Sequence, residues 1–326
     1  MRLPRCAIVD QRCDQYFHVV SRVVDRRFIF NDVEKEVFLL IMRKLEGFTG
    51  VNVLSYAVMS NHFHLLVRVP AYPDSVSEEE IWKRMESLHD SAAIESMKSN
   101  LSSRSASEQE EFFRRIRTRL FSISEFIKGL KQRFSIWYNS LNDRHGTLWE
   151  ERFKCVLIDD GGPSLLRVAR YIELNPVRAL LVNRASAYKW NSCHEALSER
   201  SRSRQNIENF IIPKYSKFRG EGQPSTFQDY LSYLDSSYQL STDEKYANPK
   251  VSRSKLNEKA EKSESIQNSM PKRLKVLTTG LIVGRKIFIE RVCLKNKHLN
   301  PENRDISSFP IPGHEWNGIH SFFRSG

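Results

Sequence analysis

The stretch Tyr56-Ala-Val-Met-Ser-Asn-His-Phe-His-Leu-Leu-Val-Arg-Val-Pro70 constrains this chain more than any other. Its two histidines lie one residue apart inside a run dense in β-forming side chains, Val51 to Val69. That run predicts a hairpin with Met59 to Asn61 at the turn. Side chains alternate along a strand, so His62 and His64 share one face while Phe63, Leu65 and Val67 share the other. The two histidine Cα atoms are then roughly 7 Å apart, and both imidazoles can converge on one metal ion. The apolar face would anchor the strand in a core, and the histidine face would look into a site. Two half-exposed strand histidines with no ligand satisfy so short a pattern equally well, so the surrounding chain has to decide.

Upstream, Tyr16 to Ser21 reads as a strand on which His18 alternates with Tyr16 and Val20, and a packed or surface histidine is the expected role there. Asn31 or Asp32 can cap a helix whose apolar positions are Val33, Val37, Leu40, Ile41 and Leu45, ending near Gly47. Residues 71–110 change character. They carry nine acidic against four basic residues with many serines, which predicts an inserted, solvated and partly helical segment.

Leu120 to Leu141 is the strongest helix, with Ile123, Phe126, Ile127, Leu130, Phe134, Trp137, Tyr138 and Leu141 on one stripe. Arg152 to Ile158 follows as a strand. Ser164 then caps a helix starting at Leu165, which Pro176 interrupts. Beyond about residue 195 the globular signal weakens, and Lys245 to Lys297 holds fourteen basic and four acidic residues. The expected organisation is a domain over 1–195, with the insertion at about 71–110, and a basic, partly disordered extension over 196–326.

The net charge of +12 favours a polyanionic partner. Arg114, Arg115, Lys128, Lys131, Arg133, Arg152 and Lys154 are the candidate phosphate contacts, because they cluster beside aromatic residues. No apolar run reaches the length of a membrane span, so no membrane partner is expected. The five cysteines are scattered without a C-x-x-C pair, which argues against a zinc ribbon and for free thiols inside a cell.

Tyr171 and Asn175, at i and i+4, share a helical face. An amide oxygen could there join two imidazoles at a divalent ion, with a phenol directed at the same substrate as a nucleophile. Asn175 before Pro176 is equally a good N-cap followed by proline at N1. Tyr171 is equally an amphipathic tyrosine at a helix edge. Tyr138 is the rival nucleophile, although its place on the apolar stripe argues for packing.

Five blocks in order resemble one family. The histidine stretch resembles the His-hydrophobic-His motif of IS200/IS605-type tyrosine transposases, and is most similar to their REP-associated branch. Tyr16-Phe-His-Val-Val-Ser-Arg22 resembles the family's first strand, and Gly146-Thr-Leu-Trp-Glu-Glu-Arg-Phe-Lys154 its G-x-L-W-x-x-R-F-K block. Arg170-Tyr-Ile-Glu-Leu-Asn-Pro-Val-Arg-Ala179 resembles its Y-I-x-x-N-P-V block. Tyr188-Lys-Trp-Asn-Ser192 resembles its Y-x-W-S-S ending, with Asn191 as a departure.

The resemblance implies an α+β fold with a ferredoxin-like (RRM-like) antiparallel sheet. It implies His62, His64 and Asn175 as ligands of Mg²⁺ or Mn²⁺, and Tyr171 as the nucleophile. The implied reaction cleaves and rejoins single-stranded DNA beside hairpins through a 5′-phosphotyrosine. The protein would be a cytoplasmic, nucleoid-associated bacterial monomer or homodimer. A non-catalytic hairpin-binding module of the same fold is the alternative. A replication-initiation or relaxase protein is a more distant one, since nothing suggests a helicase domain.

Overall fold

The computed structural model of the chain describes residues 12–161, 163–213, 224–243, 276–277, 280–296, 299, 306, 308–311 and 316–323. The basic stretch 244–275 lies outside the described residues, as do residues 1–11 and 214–223.

The first half forms β1 (Gln15–Arg22), α1 (Asp32–Thr49), β2 (Asn52–Val58) and β3 (His62–Val69). Three helices of the insertion follow: α2 (Glu78–Met85), α3 (Ser91–Ser102) and α4 (Ala106–Arg117). The long helix α5 (Ile123–Leu141) and strand β4 (Lys154–Ile158) close the unit. Strands β2, β3, β1 and β4 are hydrogen-bonded in that order, every pair antiparallel. Leaving out the insertion, the order β-α-β-β-α-β with that strand sequence is the ferredoxin-like arrangement, and the chain is α+β.

Alternation divides the sheet into two faces. Phe17, Val19, Phe63, Leu65, Val67, Tyr56 and Val58 point one way and pack under α1 and α5, where Phe38, Phe126, Ile127, Leu130 and Phe134 are buried. Helix α1 begins with the Glu34 carboxylate accepting the Asn31 N–H at 3.1 Å. It ends at Gly50, whose φ of 75° favours a residue without Cβ. The buried face of α1 is Phe38, Met42 and Leu45, whereas Val33 and Leu40 are exposed. The expected stripe is thus rotated, because Phe38 docks between Phe63 and Phe134, with ring centroids 4.9 and 5.6 Å away. Leu141, expected on the α5 stripe, is likewise exposed, at the last position of the helix.

The insertion is more ordered than its composition predicts. Helices α2 to α4 close a small core of their own, with Ile81, Met85, Ile94, Leu101, Phe113, Ile116 and Leu120 packed against Phe48. Each helix starts with a side-chain cap, from Ser77, Asp90 and Ser105. Short capped helices need little apolar surface each, which is why no long stripe marks them.

The described part of the stretch expected to be a basic extension, from residue 196, joins the sheet and its second face. Strand β5 (Ile282–Gly284) pairs parallel with β4, and β7 (His320–Phe322) and β6 (Phe309–Pro310) continue the same sheet to seven strands. The sheet is therefore mixed rather than purely antiparallel. Helix α6 (Ser164–Glu173) and the short α7 (Asn175–Arg178) lie on the second face, followed by the turn Ser192–Glu195. The helical segments Arg202–Asn206 and Ile207–Ile211 and the helix Phe227–Asp243 cover the same face. Ile207, Ile211, Phe227, Tyr230, Leu277, Val283 and Trp316 are buried in one cluster with Tyr16, Leu66 and Val156. No helix among the described residues is long and apolar enough to cross a membrane.

Candidate active site

Cross-strand partners in a sheet point to the same side. In the β1–β3 register Val20 faces His64 and Arg22 faces His62, so His18, Arg22, His62 and His64 all stand on the face opposite α1 and α5. Helix α6 lies across this face. The Tyr171 ring stands edge-on to both His18 and His64, with centroids 5.9 and 5.8 Å apart. The rings of His62 and His64 are 5.1 Å apart. His18, His64 and Tyr171 are buried to 1% exposure or less, and His62 to 4%.

Two hydrogen-bond chains fix which nitrogen of each imidazole carries the proton. The Leu277 carbonyl can only accept, so His18 Nδ1, 2.9 Å away, is the donor. Burial pushes His18 down to about 4, so the ring is neutral at pH 7 and its Nε2 is an acceptor. His64 Nδ1, 3.0 Å from that Nε2, must therefore donate. The two rings are tilted by only 6° with centroids 5.2 Å apart, the geometry of an in-plane N–H···N bond. His64 is neutral too, held well below its ordinary value by burial and then by the charges of neighbouring groups. Its Nε2 consequently presents a lone pair, and this buried atom has no hydrogen-bond partner among the described residues.

Asn61 does the same for His62. Its amide nitrogen donates to the Arg26 carbonyl at 2.9 Å, which turns its oxygen toward His62 Nδ1 at 2.7 Å. His62, pushed down to about 3 by burial and then by Arg22, also presents an Nε2 lone pair. Two imidazoles held as single tautomers by neighbouring acceptors are the arrangement of metal-ligating histidines.

Asn175 sits on α7, and its amide nitrogen donates to the carbonyls of Tyr171 and Ile172 at 3.0 and 3.2 Å. Those two acceptors fix the NH₂ end and leave the oxygen as the free end. The residue secures the end of α6 rather than serving as an N-cap, and its carbonyl oxygen is chemically suited to a third ligand position. The donor set of two neutral imidazoles and one amide oxygen fits a divalent cation. Its fit rests on His64 Nε2, a buried acceptor with no donor among the described residues.

Tyr171 is poised by opposing influences. Burial raises its hydroxyl above the ordinary value, while Arg178 and Arg22 pull it back. The Arg178 guanidinium lies 5.0 Å from the Tyr171 ring centre, and its Nη1 donates to the Tyr171 carbonyl at 2.9 Å. The Tyr171 hydroxyl itself is buried without a hydrogen-bond partner among the described residues. Tyr138 is on α5, on the other face of the sheet, packed on Phe134 at 6.2 Å. The histidines and the rival tyrosine are thus separated by the sheet.

The expected phosphate contacts are not gathered at this site. Arg114 and Arg115 lie on α4 and both bind the Glu111 carboxylate, at 2.6 Å each. On α5, Lys128 pairs with Glu125 at 3.3 Å and Arg133 is exposed. Lys131 donates to the Glu151 carbonyl at 2.8 Å, and burial against Trp149 pushes its ammonium down to about 8. Arg152 is exposed just before β4. Lys154, opposite Val20 on the site face, is the member of the set on the histidine side and pairs with Glu151 at 3.2 Å. Sequence spacing missed His18, Asn61, Arg22 and Arg178. His18 shares parity with Tyr16 and Val20, but only strand register puts it against His64.

Residues 11–116 match the family model described as "Transposase IS200 like", which bears out the resemblance over the histidine strands and stops short of the Tyr171 helix. A solved structure of a REP-associated tyrosine transposase bound to a REP hairpin is similar at 12% identity and a TM-score of 0.37. The similarity covers 56% of this chain and 79% of that one. No curated protein matches the chain.

Proposed function

We propose that this chain, whose residues 11–116 match an IS200-like transposase family model, is a DNA transposase that cuts and rejoins single-stranded DNA beside a hairpin, with Tyr171 as its nucleophile. The observation that carries the reading is the pair of unpartnered buried atoms, Tyr171 Oη and His64 Nε2, on one side chain cluster. A buried hydroxyl and a buried imidazole nitrogen each forfeit about 1–3 kcal/mol when left unpaired, and a substrate phosphate and a bound cation would supply partners for both.

The chain's residues divide the work. The Tyr171 hydroxyl attacks phosphorus and gives up its proton. The bond to the 3′ oxygen breaks, that oxygen takes up a proton, and a 5′-phosphotyrosine and a free 3′-hydroxyl result. Rejoining is the reverse attack by a 3′-hydroxyl, with no external energy source, because the phosphodiester energy is kept in the tyrosyl ester. Arg178 and Arg22 favour the phenolate, opposing the effect of burial. His62, His64 and Asn175 would hold a divalent ion, Mg²⁺ or Mn²⁺, which when bound would polarise a phosphate oxygen.

The test is adduct formation on 5′- and 3′-labelled hairpin DNA from the gene's own flanks, with Mg²⁺ or EDTA. The expected result is a covalent protein–DNA species that needs Mg²⁺, persists in Tyr138→Phe and disappears in Tyr171→Phe. An adduct that survives Tyr171→Phe sinks the assignment of the nucleophile. Hairpin binding without an adduct across a wide set of hairpins would make the protein a binding module instead.

A further inference from the structure

Exposure at the site rises from the buried histidines and Tyr171 toward the end of β1. His18, His64 and Tyr171 are inaccessible, while Arg22 is half-exposed and Arg178 exposed. Arg22 is the last residue of β1 and the cross-strand partner of His62, on the same sheet face. Its guanidinium makes no hydrogen bond or ion pair among the described residues, in contrast to Arg43, Arg68, Arg114, Arg115, Arg204 and Arg285, each bound to a carboxylate. Partial burial without such a partner is unfavourable for a cation. Burial and then repulsion from Arg26 lower Arg22 from its ordinary value, and Glu150 compensates only in part. His62, His64 and Tyr171 all feel its charge. A cation beside two neutral imidazoles and a phenol, with five donors to offer, has no bound carboxylate among the described residues.

We propose that the Arg22 guanidinium is the phosphate-binding group of this site, taking the oxygens of the phosphodiester at the end of β1, beside His62, and holding them for Tyr171. Arg178 adds its charge at the same His64 and Tyr171. The ligand class is an oxyanion of phosphorus, and the proposal rests on the transposase reading only for the claim that this phosphate belongs to DNA. Arg22 serves planar, two-point recognition, so lysine is a poor replacement.

The first measurement is a titration of the full chain with inorganic phosphate in EDTA, read by the ring-proton shifts of labelled histidines. Wild type is expected to show a saturable shift of His62 and His64. Arg22→Gln is expected to weaken it at least about tenfold and Arg22→Lys less, while Lys98→Gln on the insertion leaves it unchanged. In parallel, adduct formation on DNA with Mg²⁺ is expected to slow by about 10²–10³ in Arg22→Gln. Divalent-ion affinity, read by Mn²⁺ titration, is expected to stay level or rise when a nearby positive charge is removed, which a mere loss of structure would not produce.

Absence of a saturable shift in wild type, or an unchanged phosphate affinity in Arg22→Gln, overturns the proposal even if the Tyr171 adduct forms. Phosphate binding that depends on Arg22 while no DNA gives an adduct keeps the anion site and removes the transposase reading. If Arg22→Gln does not fold by near-ultraviolet circular dichroism, the Arg22→Lys arm decides by the same readings.

Discussion

His18 gives the clearest case of a residue acting through another. Its Nδ1 donates to the Leu277 carbonyl, and its Nε2 accepts from His64 Nδ1, which directs the His64 lone pair to Nε2. Replacing it with leucine keeps apolar bulk but leaves the His64 N–H without an acceptor. His18→Leu is expected to lower stability by about 1–3 kcal/mol in urea unfolding, as for any buried donor left unpaired. It is also expected to weaken Mn²⁺ binding by about 10–100-fold, as for the loss of a group that orients a ligand. Nitrogen shifts of His64 report the cause. A single Nδ1–H tautomer in wild type should become a mixture in the variant, and an unchanged tautomer would reduce His18 to a packing residue.

At the level of elements, α6 is held to the sheet by a polar lock two residues from Tyr171. The Glu173 carboxyl is fully buried and receives the Ser192 hydroxyl at 2.6 Å, the Tyr230 hydroxyl at 2.7 Å and the Ser55 hydroxyl at 3.3 Å. It therefore joins β2, α6, the turn at Ser192 and the helix Phe227–Asp243 in one network. Burial outweighs these hydrogen bonds and pushes Glu173 up to about 7 from 4.5.

Between those values the native state keeps the proton that the unfolded chain has released, so stability falls as pH rises across that window. The contribution is whole below pH 4.5 and gone above pH 7, a span of about 3 kcal/mol. Glu173→Gln, which cannot ionise, should be more resistant to urea than wild type at pH 8 and no more resistant at pH 4.5. Parallel stabilities of the two proteins across that range would show that Glu173 is ionised in the fold.

For the whole molecule, the second face of the sheet is completed by chain that follows residue 195. Asn206 donates to the Val53 carbonyl at 2.9 Å, and Glu195 binds Arg43 and the Tyr56 hydroxyl. Arg285 clasps buried Asp159 at 2.7 Å, beside the parallel β4–β5 pair. A chain ended at residue 195 would bare β4 as an edge and expose Leu66, Val156 and Ile158, which the later elements help to bury. Such a truncation is expected to lose its near-ultraviolet circular dichroism and to aggregate. A soluble, cooperatively unfolding 1–195 fragment would show that the later elements only decorate a finished domain.

The sequence alone was enough for whatever depends on neighbours a few residues apart. Strand alternation separated His62 and His64 from Phe63 and Leu65, and helical periodicity found the buried stripe Ile123, Phe126, Ile127, Leu130 and Phe134. The ordered blocks pointed to the ferredoxin-like core and to Tyr171 on the helix that crosses the histidines. Register and long-range contact are pairwise properties of segments far apart, and no local pattern encodes them. Only the tertiary structure brought His18 against His64, placed Arg22 opposite His62 without a carboxylate partner among the described residues, and rotated the buried face of α1 onto Phe38. The same holds for the part of the chain beyond residue 195. Strands of two or three residues carry too few alternations to be read, yet paired to β4 they belong to the same sheet, because a short strand gains its stability from its neighbour and not from its own sequence.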